Sequence, residues 1–282
     1  MPELPEAEVC RDQLTRWSGG RTVDDVLVPD PAVIRSKMSS RPSDALPGGE
    51  AIVAQFAGQP SGPVVRHGKR LGWTFGPHAI LIHLGMTGHW VKRPSGPMTQ
   101  KSARLGFRFD DVTVWLMDRR RMGCVVAMKA EELDGVMRHR HGPDALDHPL
   151  TGPQLAVALR SRKPIKVVMM EQNRVAGIGN IHAAEACFRA RIHPATPADD
   201  LTAEQWDRLA TGILDQMKYT LDFVDPDAET LYVTSGAKNP FSVYKRTGQA
   251  CARCTSTIVS DDLNGRTTYW CPGCQPRTTA TT

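Results

Sequence analysis

The sequence predicts an α+β protein, and three observations carry that prediction. Residues 21–126 hold short β-branched and aromatic runs separated by turn residues, and after about residue 140 the apolar residues recur at helical spacing. Four of the seven cysteines gather near the end of the chain. Strands first and helices after point to segregated layers rather than alternating βαβ units. At 282 residues the chain has length for two domains. Their boundary is expected near 140–152, around Gly142-Pro143 and the Pro149-Leu150-Thr151-Gly152-Pro153 stretch.

Each element follows in order. Leu4, Ala7, Cys10, Leu14 and Trp17 make one apolar stripe, so residues 3–17 read as an amphipathic helix ended by Gly19-Gly20. Residues 22–28, 51–56, 71–75 and 79–84 read as strands. Residues 105–109 and 112–117 pair about the turn Asp110-Asp111. Residues 92–101 read as a loop. Short strands joined by turns predict an antiparallel sandwich or barrel. Residues 154–159, 165–171, 180–190 and 202–224 read as helices, the last opened by Thr202 and Gln205 as a capping box. Residues 276–282 are expected to fray.

Composition narrows the function classes. The net charge is +5 and the isoelectric point about 8.9, a mild lean toward an anionic partner. No apolar run reaches the ~18 residues of a membrane span. The acidic start Glu3, Glu6, Glu8 lacks a signal-peptide core, so a cytoplasmic location is expected. Scattered Cys10, Cys124 and Cys187 beside one terminal cluster fit a metal site in a reducing compartment, not a disulfide framework.

The strongest chemical signal is Cys251-x2-Cys254, sixteen residues, then Cys271-x2-Cys274. This is four-cysteine zinc spacing, each pair giving two thiolates to one tetrahedral ion. Four thiolates leave no open position, so the expected Zn2+ is structural and no catalytic metal is expected. Residues 255–259 and 267–270 would be the strands of a ribbon turned at Asn264-Gly265, with Arg266 at the tip. Next comes Gly177-Ile178-Gly179-Asn180, a glycine turn entering a helix, where backbone N–H groups suit a phosphate. Lys163 and Lys166 lie just upstream. In the first domain, Lys69 and Arg70 precede a strand. Met86 stands between Gly85 and Gly88, and Asp118-Arg119-Arg120-Arg121-Met122-Gly123 ends another strand. Met86 and the arginine run could form one surface. At the front, removal of Met1 would leave Pro2 with a free secondary amine, a Schiff-base nucleophile beside Glu3 and Glu6. Taken alone, Pro2 and Pro5 are helix-start residues.

Together these motifs, in this order, resemble the formamidopyrimidine-DNA glycosylase and endonuclease VIII family over nearly the whole chain. Pro-Glu-Leu-Pro-Glu is similar to the formamidopyrimidine branch. The resemblance implies an N-terminal helix with a β-sandwich (1–145), a helix-two-turn-helix domain (146–225), a lesion-recognition loop (226–247), a zinc ribbon (248–276) and a tail (277–282). It implies a monomeric bacterial, nucleoid-associated base-excision repair enzyme. Its partner would be double-stranded DNA carrying a damaged base or abasic site, with no membrane, and with the DNA between the domains. Pro2 would attack C1′, Glu3 would move protons, Glu6 would support the site, and β,δ-elimination would cut the strand. Lys69 would complete this site and, with Asn180 and Arg266, grip phosphates; Lys163 and Tyr244 would add DNA contacts. Met86, Arg120 and Met122 would fill the void left by the flipped base, with Arg120 facing the orphaned partner.

Departures from the family pattern bear on the lesion. Met122 stands where Phe is usual, and Met lacks a planar face to stack on a base. The stretch Ser235-Gly236-Ala237-Lys238-Asn239-Pro240-Phe241 is short, and Lys245 stands where Gly is common. Oxidised purines are favoured, ring-opened formamidopyrimidines ahead of 8-oxoguanine, with a non-standard or pyrimidine lesion as the alternative. A catalytically silent damage-binding protein would need a broken site, yet Pro2, Glu3, Lys69, Asn180 and Arg266 are all present. A zinc-ribbon transcription module would leave the helical domain and the Pro-Glu start without a purpose.

Overall fold

A computed structural model describes residues 2–225 and 239–277, which divide into two compact units. The first runs to His139; the second holds Arg140–Phe223 and the chain from Asn239. The expected loop segment Ser235 to Lys238 and the tail from Thr278 lie outside the described residues.

The first unit opens with helix α1 (Leu4–Ser18). Strands β1 (Asp25–Leu27), β5 (His89–Pro94), β6 (Ala103–Phe109) and β7 (Val112–Met117) form one antiparallel sheet in the order β1-β6-β7-β5. Strands β2 (Ser61–His67), β3 (Arg70–Phe75), β4 (His78–His83) and β8 (Cys124–Lys129) form the other, in the order β2-β3-β4-β8. Between them lies an aromatic core in which Trp73 meets Trp90 edge-on at 5.7 Å and Phe75 stacks on Phe107 at 4.7 Å. Rings of this size each remove enough apolar surface from water to contribute about 1.5–3 kcal/mol. Helix α1 packs against strands of both sheets and fixes its own N-terminus to the sandwich.

Helix α2 (Gly49–Ala54) occupies a segment whose β-branched content predicts a strand. Val53 and Phe56 face the core, three apart, while Ile52 is exposed; that spacing is helical, and a strand would have alternated. Residues 92–94 belong to β5 rather than to a loop. This is an edge strand, where Pro94 costs no ladder hydrogen bond. Two further elements have weak sequence signals, β2 with Gly62 and Pro63 inside it, and the short helix α3 (Leu133–Arg138).

The second unit is built from α4 (Gly152–Ala158), α5 (Ile165–Met169), α6 (Asn180–Ala190) and α7 (Ala203–Phe223). The capping box before α7 forms: Thr202 N donates to Gln205 Oε1 at 2.8 Å and Gln205 N to Thr202 Oγ1 at 3.2 Å. The ribbon strands are β9 (Val259–Asp262) and β10 (Thr267–Trp270). The first lies nearer the turn than 255–259. Asn264 and Gly265 both take positive φ, so the hairpin closes over two residues, and Asp262 must pair with Thr267. Val243 and Ile258 pack with Ala184 and Phe188 of α6, so this small module borrows its apolar floor from the helices.

Candidate catalytic end and nucleic-acid interface

Pro2, Glu3 and Glu6 are all inside, and Glu6 Oε2 accepts the Glu3 backbone N–H at 3.0 Å, the reach-back half of a capping box. Among the described residues, Glu6 Oε1 is buried with no hydrogen-bond partner. A buried carboxylate oxygen without a donor is costly, and it leaves an acceptor at the end that carries Pro2. Cys10, one helical turn further, is no rival nucleophile: burial pushes its thiol up to about 12, so it stays protonated and closed off.

Lys69 sits half-buried in the two-residue turn joining β2 to β3. Buried Arg66 ties that turn to α1, donating through Nε to Glu8 Oε2 at 2.5 Å and through Nη1 to the Gly68 carbonyl at 3.2 Å. Glu8 lies on the helix that Glu3 caps, so one buried ion pair sets the lysine turn against the start of α1. Arg66 and Glu8 carry no signal of this in the sequence, because they lie 58 positions apart.

The Met86 turn and the arginine run do come together. A Cβ on Gly85 would collide with Gly123 N and stand 2.5 Å from the Met122 carbonyl carbon, so only glycine admits the approach. Asp118, fully buried, holds both loops: its carboxylate accepts from Thr87 Oγ1 at 2.5 Å, Arg120 N at 3.1 Å and Gly123 N at 2.7 Å. Met86 and Met122 are half-buried and Arg120 is exposed, so the loops present two apolar tips and one cation.

In the second unit Asn180 opens α6, and its side chain is occupied. Nδ2 donates to the Thr267 carbonyl at 3.1 Å, and Oδ1 accepts from Lys166 Nζ at 2.5 Å. Lys166, fully buried, also donates to Thr268 Oγ1 at 2.7 Å, whose hydroxyl reaches the Arg266 carbonyl at 3.1 Å. The ribbon tip bearing exposed Arg266 is thus tied to the start of α6 directly through Asn180 and again through Lys166. Replacing Lys166 with Met leaves these acceptors without their donor, at about 1–3 kcal/mol. A lowered melting temperature in Lys166→Met is expected; an unchanged melt would contradict this. Lys163, by contrast, lies on the surface, 2.7 Å from Glu171. Lys163 and then Arg174 draw the Glu171 carboxyl below its usual range.

Tyr244 is half-buried, its ring edge-on to Phe241 at 5.7 Å and Tyr269 at 5.2 Å. Buried Glu185 fixes its backbone, accepting N–H groups of Ser242, Val243 and Tyr244 at 2.8–2.9 Å. The next residue, Lys245, has φ +56°. The left-handed region costs a side-chain-bearing residue roughly 1–2 kcal/mol. Lys245→Gly is therefore expected to raise stability by about 0.5–1 kcal/mol, read as a higher melting temperature; a lower one would show that the Lys245 ammonium, 5.8 Å over the Tyr244 ring, outweighs the backbone cost.

The four sulfurs of Cys251, Cys254, Cys271 and Cys274 all lie within 4.8 Å of one another, with one pair at 3.9 Å and another at 3.3 Å. Tetrahedral thiolates at ~2.3 Å from one ion stand ~3.8 Å apart. Backbone N–H groups of Arg253 and Cys274 point at Cys251 and Cys271 sulfur at 3.4 Å, the donor pattern that suits thiolates. The residues fit a metal ion.

Two family models match. The formamidopyrimidine-DNA glycosylase N-terminal domain covers residues 1–125, and the formamidopyrimidine-DNA glycosylase H2TH domain covers residues 141–228. Among curated relatives, a formamidopyrimidine-DNA glycosylase of Parafrankia sp. (strain EAN1pec) is 34% identical across 98% of both chains. One of Bacillus anthracis is 30% identical across 98% of this chain and 100% of its own. Among solved structures, the Lactococcus lactis Fpg complexed with DNA containing an abasic site has TM-score 0.84 at 24% identity, covering 98% of this chain and 100% of that one. MutM in complex with DNA containing carbocyclic 8-oxo-G has TM-score 0.83 at 25% identity with the same coverage. With both domain models matched in order and relatives aligned end to end, the chain belongs to the formamidopyrimidine-DNA glycosylase family.

Proposed function

We propose that this chain is a bifunctional DNA glycosylase and abasic-site lyase that removes oxidised bases, with Pro2 as the nucleophile. The observation that carries the reading is the buried Pro2–Glu3 end, with Glu6 bonded to the Glu3 backbone N–H and one of its oxygens unpartnered among the described residues.

In the proposed reaction, the free nitrogen of Pro2 forms a bond to C1′ as the C1′–base bond breaks, and the base leaves with a proton. Protonation of the ring oxygen by Glu3 opens the sugar and gives an iminium between Pro2 and C1′. Loss of a proton from C2′ expels the 3′ phosphate, and a second elimination expels the 5′ phosphate. Water then releases Pro2. A placed carboxylate of this kind supplies roughly 10²–10⁴-fold by proton transfer.

Lys69, Asn180 and Arg266 grip backbone phosphates in this reading, with Lys163 exchanging its Glu171 partner for a phosphate and Tyr244 adding a contact. Met86, Arg120 and Met122 occupy the space of the extruded nucleotide. Cys251, Cys254, Cys271 and Cys274 would hold one Zn2+, which shapes the ribbon and takes no part in the chemistry. Removing Arg266 with Ala should weaken binding on every sequence and lower the slope of log K against log salt by about 0.9. The substrate reading favours formamidopyrimidines, since Met122 offers bulk without a stacking face. Base release measured on duplexes with single defined lesions tests it: fastest release of formamidopyrimidines supports it, and preference for an oxidised pyrimidine would overturn the lesion assignment.

A further inference from the structure

The loop 118–123 rests on a second set of charges that the proposed chemistry does not use. Arg35 is 1% exposed. Its guanidinium donates to the carbonyls of Ala32 (3.3 Å), Ser39 and Arg121 (Nη2, 3.0 Å). No carboxylate among the described residues pairs with it, so a desolvated cation is spent on three backbone oxygens. Burying such a group costs several kcal/mol before its hydrogen bonds return any. Arg121 is also the strained residue of the loop, at φ +55°.

Asp30 closes the set. Its Oδ1 accepts from Arg121 Nη2 at 2.8 Å and its Oδ2 from Arg104 Nη1 at 3.1 Å. Arg104 Nε in turn donates to the Asp118 carbonyl at 2.8 Å. With the Asp118 carboxylate bonds to Arg120 N and Gly123 N, the loop backbone is held at 118, 120, 121 and 123. Arg120 and Met122 flank the Arg121 carbonyl that Arg35 grips. A loop pinned through its backbone at four of its six residues presents its side chains with less entropy to lose on binding.

We propose that Arg35 and Asp30 are positioning residues for discrimination of the base opposite the lesion, acting by fixing the backbone that presents Arg120 and Met122. The proposal rests on the reading of Arg120 as the residue facing the orphaned base. A held cation reads a base edge only in one place, and a well-placed contact to a base is worth roughly tenfold or more in discrimination. Arg35 touches no substrate in this scheme; it sets where Arg120 stands.

The test is base release from a formamidopyrimidine-containing duplex opposite each of the four bases. Beside it runs borohydride trapping on a single-stranded abasic oligonucleotide, which has no opposite base to read. For Arg35→Met, the ratio of best to worst opposite base is expected to shrink roughly tenfold, while single-strand trapping stays within about twofold. Arg35→Lys should recover part of the ratio. If Arg35→Met does not fold, Asp30→Asn carries the test, with a smaller shift in the same direction. An unchanged ratio in a folded Arg35→Met, or in Asp30→Asn where the former fails, overturns the proposal. Arg120→Ala separates the two levels: if it leaves the ratio unchanged, the reading of Arg120 fails and the proposal falls with it.

Discussion

A chain that keeps Met1, or carries a tag ahead of Pro2, is expected to lose base release and strand cleavage by on the order of 10⁴–10⁶-fold, the scale of removing a nucleophile. The reason is covalent. Acylated by a preceding residue, the Pro2 nitrogen is a tertiary amide with no lone pair to give. Duplex binding should fall far less, because Lys69, Asn180 and Arg266 are untouched. Single-turnover cleavage of an abasic duplex, run on material whose N-terminus is verified by intact mass, checks this. Full activity from a chain shown to retain Met1 would exclude Pro2. The same experiment guards against a false negative, since a tagged preparation would imitate a catalytically silent binding protein.

Stripping the metal from the four cysteines is expected to unfold the ribbon and abolish tight DNA binding. Strands β9 and β10 have four residues each, and an isolated hairpin of that size is marginal in water. The apolar cluster under it includes Cys251 and Cys271 themselves. A bound ion would therefore stand in for part of a core, since structural zinc sites supply about 10–16 kcal/mol of binding free energy to folding. Loss of the ribbon removes Arg266 and also Thr267 and Thr268, the partners of Asn180 and Lys166. Metal analysis should give one Zn2+ per chain, and Cys254→Ser should lose both metal and affinity. A metal-free chain that binds damaged duplex with full affinity would contradict this account.

The sequence made some of this arrangement legible and hid the rest for physical reasons. Helix α6 and the capping box before α7 were readable because their signals are local, a glycine turn or a Thr–Gln pair three residues apart. The cysteine ribbon was readable because metal geometry fixes spacing. Segment 49–54 was not, because β-branched Ile52 and Val53 outweigh the two-residue hint that Val53 and Phe56 share a face. At the candidate site, the residues proposed to meet a ligand stand in motifs, whereas those that hold them in place do not. Arg66 with Glu8, Lys166 with Thr268, and Asp30 with Arg104 are joined across 58, 102 and 74 positions. Only the fold brings such pairs together, and a lone buried cation has no sequence mark. Asn180 is a further instance: its place at the start of α6 is legible from the glycine turn, its engagement by Lys166 and the ribbon is not.

The most direct test of the central claim is to map the covalent adduct. The mature chain is incubated with an abasic-site duplex and borohydride, digested, and the modified peptide sequenced by mass spectrometry. The account predicts one reduced sugar on the nitrogen of Pro2, in the peptide that continues Glu3-Leu4-Pro5-Glu6. An adduct on Lys69 or another lysine, or none from a chain whose N-terminus is confirmed as Pro2, would contradict it.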